Sequence, residues 1–155
     1  MKKPISSVLN ELLVKTFNDI LAVEEYELRK GPLNNLSLSE IHAIEAIGMY
    51  HTRTMSQVAS DLSITMGALT SAVNNLVKKG YVSRERDDRD RRVVNIALTR
   101  SGKLAYRIHE KFHYDMVKQT IKGLTEKENI LIESLRRLND FLVSKYTFKK
   151  CGKGN

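Results

Sequence analysis

Three groups of residues in this sequence have types and spacings that chemistry can use. The first is Asp87 to Arg92, "DDRDRR", three carboxylates and three guanidinium groups in six residues. From Arg84 to Arg92, five arginines stand against four acids, so the segment is nearly neutral and any value it has must lie in arrangement. An acid beside an arginine can hold the planar guanidinium in one rotamer by a bidentate bond, leaving its outer edge free for a narrow, electronegative groove. The second group lies in "TMGALTSAVNNLVKKG", Thr65 to Gly80. At about 100° per residue, Leu69, Ala72, Val73 and Leu76 fall on one side of a helix, and Gly67, Ser71, Asn74 and Lys78 on the other, with Asn75 at the border. Such short polar side chains let a helix approach base edges: Asn can pair bidentately with adenine, and Thr65, Thr70 and Ser71 can reach bases or phosphates. The third group is His109 and His113, four apart on one helical face. With His42 and the acids Glu24, Glu25, Glu40 and Glu45, they could ligate a metal ion or simply sit as hydrogen-bonded, partly buried imidazoles.

The surrounding pattern says what must position these groups. Apolar residues at Ile5, Val8, Leu9, Leu12, Leu13, Phe17, Ile20 and Leu21 have helical spacing up to the break at Gly31-Pro32. Ser37 with Glu40, Thr54 with Gln57, and Thr125 with Glu128 each have the form of a capping box that starts a helix. The first opens a helix to about Met49. The second opens a short helix that "SIT" separates from the one ending at Gly80, the proportions of a helix-turn-helix. Tyr81 to Arg86 and Val93 to Leu98 read as two strands with "DDRDRR" at the tip between them. A long helix follows Thr99 to about Ile121, and another follows Thr125.

The order predicts a mainly α fold: a winged helix-turn-helix over 37–99, between long helices at 1–30 and 100–147, with a disordered tail at 148–155. One apolar seam contains Leu104, Ile108, Phe112 and Met116; another contains Ile130, Leu131, Leu135, Leu138, Phe141 and Leu142. They exceed what a winged helix of this size can cover, which points to a homodimer packed through the terminal helices, the alternative being a monomeric helical hairpin folded back on the domain.

At 155 residues with 41% hydrophobic composition, the chain suits one core. Its 26 Lys and Arg against 18 Asp and Glu give a net charge of +8, favouring a polyanionic partner. The single cysteine, Cys151, rules out an intramolecular disulfide. No apolar run approaches the roughly 20 residues that span a bilayer, and "MKKPISSVLNELL" is a poor secretion signal, so a cytoplasmic protein without membrane partners is expected. Gly-rich phosphate loops, serine elbows and Cys/His nucleophile pairs are missing, so neither an enzyme nor a cofactor is expected.

The segment "LTSAVNNLVKKGYVSRERDDRDRRVVNIALTRSG" resembles the recognition helix, wing and following helix start of the MarR family, dimeric winged-helix transcriptional regulators. The resemblance implies that Arg92 enters the minor groove, that Asp90 orients it across Arg91, and that Leu98-Thr99 opens the dimerisation helix. A common wing form has proline where this chain has Asp88. It also implies a DNA face of Thr65, Gly67, Thr70, Ser71, Asn74, Asn75, Lys78, Arg84, Arg89, Asp90, Arg91 and Arg92 on a pseudo-palindromic double-stranded operator. "FNDILAVEE", "SEIHAIEAIG", "SQVASDL" and "RIHEKFHYDMV" are similar to the fatty-acid-biosynthesis repressor branch of Firmicutes. That branch implies control of fatty-acid synthesis genes with long-chain acyl-acyl carrier protein as corepressor. An acidic carrier suits a basic protein, and an apolar helix pair could enclose an acyl chain. Phe17, Leu21, Ile44, Ile47 and Phe112 are the candidate effector contacts. The alternatives are a zinc-sensing regulator of the same type, with His42, His109 and His113 as ligands, and a winged helix used only for protein interaction.

Overall fold

The computed structural model describes residues 3–122 and 128–145. Six helices and three short strands follow in the order α1 (Ile5–Lys30), α2 (Leu38–Ile47), β1 (Arg53–Thr54), α3 (Met55–Leu62), α4 (Met66–Lys78), β2 (Val82–Arg86), β3 (Val94–Leu98), α5 (Arg100–Ile121) and α6 (Glu128–Lys145).

Local chemistry sets most of these boundaries. Ser37 Oγ accepts from Glu40 N at 3.3 Å while the Glu40 carboxylate accepts from Ser37 N at 2.8 Å, a reciprocal box that starts α2. Thr54 and Gln57 do the same for α3, at 3.2 and 3.0 Å. The third expected box begins at Thr125 and lies outside the described residues, as do Cys151 and the tail. Ser63, in the left-handed region at φ 53°, closes α3. Gly80, at φ 80°, lets α4 turn into the wing, with Tyr81 N returning to Leu76 O at 2.9 Å. Helix α2 ends at Ile47, short of Met49, because Gly48 takes φ 78° there.

The sheet is antiparallel in the order β1-β3-β2. Val82 pairs with Leu98 and Arg86 with Val94, so the hairpin reaches its tip at residues 87–93. Strand β1, only Arg53–Thr54, adds an edge that two residues were too few to reveal by alternation. Its Arg53 guanidinium bonds Ala46 O at 2.6 Å and Asp61 at 2.7 Å, tying α2 to α3.

One core sits under the helix-turn-helix. Ile41, Ile44, Ile47, Val58, Leu69, Val73, Leu76 and Ile96 are fully buried. Leu28 and Leu33 join it from the α1 side and Ala105 from α5, so the packed unit extends on both sides of 37–99. Thr99 fixes the start of α5 by donating to Gly80 O at 2.6 Å and accepting from Gly102 N at 3.2 Å. Gly102 is required by closeness: a Cβ there would lie 2.0 Å from Tyr81 O.

The terminal helices are different. Helix α6 has no buried residue, and α1 buries only Glu24 and Leu28. Ile5, Leu9, Leu12 and Val14 on α1, and Ile130, Leu135, Phe141 and Val143 on α6, are exposed in the single chain. On α5, Ala105 and His109 face the core, while in the single chain Leu104 is exposed and Ile108, Phe112 and Met116 are half-buried.

Candidate DNA interface and the cluster at the helix junction

The wing tip is organised by two aspartates. Asp87 Oδ1 accepts from the backbone N–H groups of Arg89 at 2.8 Å and Asp90 at 3.2 Å, and Oδ2 accepts from Asn95 Nδ2 at 3.3 Å. Those bonds, the Arg89 amide first, hold its carboxyl below the usual aspartate range. The turn closes through Asp87 N to Val93 O at 3.0 Å and Val93 N to Asp90 O at 2.8 Å. Asp90 Oδ1 then accepts from both Arg92 N, at 3.0 Å, and Arg92 Nε, at 3.2 Å. The contact is through one carboxylate oxygen, not the bidentate fork expected. Because Nε is used, both terminal nitrogens of Arg92 stay available, and the side chain is 93% exposed.

Helix α4 starts at Thr65, whose hydroxyl accepts from Ala68 N at 3.1 Å. Leu69, Ala72, Val73 and Leu76 are buried as the periodicity requires, while Gly67, Ser71, Asn75 and Lys78 are exposed. Thr70 donates its hydroxyl to Met66 O at 2.7 Å. Asn74 is half-buried, and its Oδ1 accepts from Arg84 Nη1 at 2.6 Å. A bidentate adenine contact by Asn74 would have to share that oxygen with Arg84, whereas Asn75 has no such bond. The Arg84 bond joins the wing to the recognition helix. Thr54, Ser56, Met66, Thr70, Arg84 and Arg92 line one groove between them. Arg89 and Arg91 are exposed at the tip.

The histidines meet at a junction of three helices. His113 Nε2 lies 3.0 Å from His109 Nε2 and 2.9 Å from Glu24 Oε1, and His42 Nε2 lies 3.4 Å from Glu24 Oε2. Glu45 approaches His109 at 3.7 Å. The hydrogen bond to His109 is the largest influence on Glu45; burial opposes it, and the charges of His109, His113 and His42 assist in holding the carboxyl below its ordinary value. Of the other acids considered, Glu25 pairs with Arg29, and Glu40 with Lys79 at 2.7 Å, both away from the cluster.

Beside the cluster is a cavity of about 110 Å³ lined by Glu24, Glu27, Leu28, Leu33, Ile108, His109 and Phe112, among others. Phe112 is the one candidate effector contact it contains. Ile44 and Ile47 are instead fully buried core residues, which an apolar heptad alone does not distinguish from a pocket wall. Phe17 and Leu21, 62% and 46% exposed, lie on the uncovered part of α1. Leu28 and Leu33 were not singled out by sequence, and Ile108 only as part of the α5 seam, since a residue lining a cavity and one in the core have the same apolar signature.

A capped helix-turn-helix followed by a wing that presents an acid-held arginine defines a winged-helix DNA-binding regulator. A MarR family model matches residues 34–93. FabT of Streptococcus pneumoniae, solved in complex with DNA, superimposes with a TM-score of 0.85 at 39% identity, over 90% of this chain and 98% of that one. The chain belongs to the MarR family of transcriptional regulators. SarZ, an HTH-type transcriptional regulator of Staphylococcus haemolyticus, is 33% identical over 63% of this chain, and the match spans 65% of SarZ. The HTH-type regulator YfiV of Bacillus subtilis is 25% identical over 61%, spanning 59% of that protein. The Staphylococcus aureus MepR-DNA complex shares the fold, with a TM-score of 0.70 at 19% identity over 92% of this chain and 99% of that one. Among the described residues, no helix is long and apolar enough to cross a membrane.

Proposed function

We propose that this DNA-binding regulator acts as a homodimeric repressor of fatty-acid biosynthesis genes, with long-chain acyl-acyl carrier protein as corepressor. The observation that carries the DNA half is the Asp90-held, outward-facing Arg92 in the groove it shares with α4. The candidate DNA-facing residues then divide by role. Gly67, Ser71 and Asn75 face base edges, while Thr65, Thr70, Lys78, Arg89 and Arg91 are placed for phosphates. Asn74 and Arg84 fix the wing against the helix, and Arg92 enters the minor groove. The exposed apolar surfaces of α1 and α6 support the dimer, which would set two recognition helices on half-sites about one DNA turn apart.

Support for the fatty-acid assignment comes from the 39% identity to FabT and from the segments that resemble the fatty-acid repressor branch. The net charge of +8 suits an acidic carrier. The cavity, at about 110 Å³, is well below the roughly 300–1,000 Å³ of a ligand pocket, so a long acyl chain needs α1 and α5 to part beside Phe112. Binding to a fatty-acid-synthesis promoter fragment, with palmitoylated or unacylated carrier protein, tests the proposal. A corepressor tightens operator binding, and operator tightens carrier binding by the same factor. Equal operator affinity with both forms at saturation refutes the acyl assignment and leaves the DNA-binding role intact.

A further inference from the structure

We propose that Asn35, Glu40, Lys79 and Tyr81 form a clasp that carries any widening of the cavity beside Phe112 to the recognition helix and the wing. They are then positioning residues for DNA binding, although none lies on the DNA face. The clasp closes over long sequence distance. Lys79 Nζ donates to Asn35 O and to both carboxylate oxygens of Glu40, at 2.9 and 2.7 Å, which uses all three protons of the ammonium group. Tyr81 donates its hydroxyl to Asn35 Oδ1 at 3.0 Å. Glu40 at the same time accepts from Ser37 N at 2.8 Å, so one carboxylate both starts α2 and holds the end of α4. The partners stand 39 to 46 positions apart in the chain.

Both sides of the clasp are anchored. On one side, Leu36 N returns to Leu33 O at 2.9 Å, so residues 33–36 form a closed turn, and Leu33 and Leu36 are buried in the core. Gly31, Pro32 and Leu33 are also cavity wall. Asn35 therefore stands in the same turn as the wall, two residues beyond it. On the other side, Lys79 caps α4, its N–H donating to Asn75 O at 2.9 Å. Tyr81 N donates to Leu76 O at 2.9 Å, and Tyr81 O accepts from Thr99 N at 3.0 Å, which fixes this corner to α4 and to the start of α5. Two candidate DNA contacts adjoin the corner: Lys78 is the last residue of α4, and Arg84 lies three residues beyond Tyr81 on β2.

Burial decides which link yields. The Glu40 side chain is 4% exposed and that of Lys79 32%. Parting them would strand a carboxylate in the core, so a shift of the turn is met by movement of the α4–β2 corner rather than by rupture of the pair. An occupant larger than about 110 Å³ must displace the cavity wall, of which Gly31 to Leu33 are part. Occupancy of the cavity and the placement of the DNA face are then linked, and each biases the other by the same factor. This goes beyond the acyl-corepressor reading and does not depend on it, because it concerns how the cavity is joined to the DNA face, whatever fills it.

The test is amide hydrogen exchange by NMR on the full-length protein, free and saturated with a duplex that the protein itself selects from a random pool. Neither an acyl ligand nor a fatty-acid promoter enters. DNA holds the α4–β2 corner, and through the clasp it should slow opening of the turn. The Leu36 amide, outside the DNA face, should exchange about tenfold more slowly on DNA, within the roughly 5–150-fold of linked sites. Glu40→Gln combined with Lys79→Met keeps a capping acceptor while removing the ion pair, and should abolish most of that slowing. Tyr81→Phe, which removes one hydroxyl, should abolish part of it. The DNA-induced slowing at the Leu69 amide, bonded to Thr65 O in the first turn of α4, should remain in both variants. A merely structural role would instead speed exchange throughout, with and without DNA. Saturation keeps changes in affinity out of the comparison, and circular dichroism confirms folding. Absence of DNA-induced slowing at Leu36 in the parent overturns the clasp. So does slowing fully retained in the folded double variant, or in Tyr81→Phe if the double variant unfolds. Failure of the acyl-corepressor reading at a promoter would leave this measurement unchanged, so the two failures are distinguishable.

Discussion

Replacing Asp90 by alanine removes a negative charge from a wing that is to approach phosphates, so a sum of charges predicts tighter DNA binding. The geometry predicts the opposite. Asp90 Oδ1 holds both the backbone and the Nε of Arg92, and without it a side chain 93% exposed regains rotamers that must be lost again on DNA. Immobilising one such side chain costs about 0.5–1.5 kcal/mol, or roughly two- to twelvefold in affinity. The removed charge contributes on the order of 1 kcal/mol only if it lies within about 4 Å of a phosphate, and salt screens it further at larger distance. Arg92→Ala should cost about 1–3 kcal/mol as the loss of one good DNA contact. The decisive measurement is a double-mutant cycle by fluorescence anisotropy at two salt concentrations, with circular dichroism on every variant. Asp90→Ala should weaken binding in the parent and have no such effect in the Arg92→Ala background. Asp90→Asn, which keeps the accepting oxygen, should retain most of the parent affinity. Tighter operator binding by Asp90→Ala than by the parent, or additive effects in the cycle, would refute the aiming role.

The remaining expectations concern parts that can be tested separately. Lys78→Ala and Arg89→Ala should reduce affinity for all sequences alike and each lower the slope of log affinity against log salt by about 0.9, measured by anisotropy titrations. Gly102→Ala, whose Cβ would stand 2.0 Å from Tyr81 O, should force α5 away from the wing base and lower the melting temperature by roughly 3–10 °C. Asp87 has its folded pKa depressed, so its contribution to the wing is present above the ordinary aspartate pKa and lost as pH falls through the depressed value. Hydrogen exchange should accordingly show the Arg89 and Asp90 amides protected near neutral pH and opening below the usual aspartate range. Leu12→Asp with Leu135→Asp, both exposed in the single chain, should leave helicity intact and convert a sedimenting dimer to monomer; a parent that is itself monomeric at micromolar concentration refutes the dimer.

What the sequence revealed depended on how local the physics was. Capping at Ser37 and Thr54 needs only four consecutive residues, and both boxes form as the spacing requires. The apolar face of α4 is likewise legible, because period 3.6 places Leu69, Val73 and Leu76 together wherever the helix packs. The acid-arginine contact at the wing was legible in its residues but not in its atoms: two residues of separation put Asp90 near Arg92, while the use of Nε and one oxygen depends on the turn that Asp87 organises. Long-range pairings were not legible. Asn74 falls by angle on the polar face of α4, but nothing local signals that β2 brings Arg84 against its side-chain oxygen across ten positions of sequence. Glu24 stands next to Glu25 in sequence, and nothing in the pair distinguishes them. Helical rotation turns Glu24 inward to the histidines of α2 and α5 and leaves Glu25 outside with Arg29. The histidine spacing on α5 therefore predicted a face, and only the packing of α1 against it supplied the buried carboxylate that gives that face a chemistry.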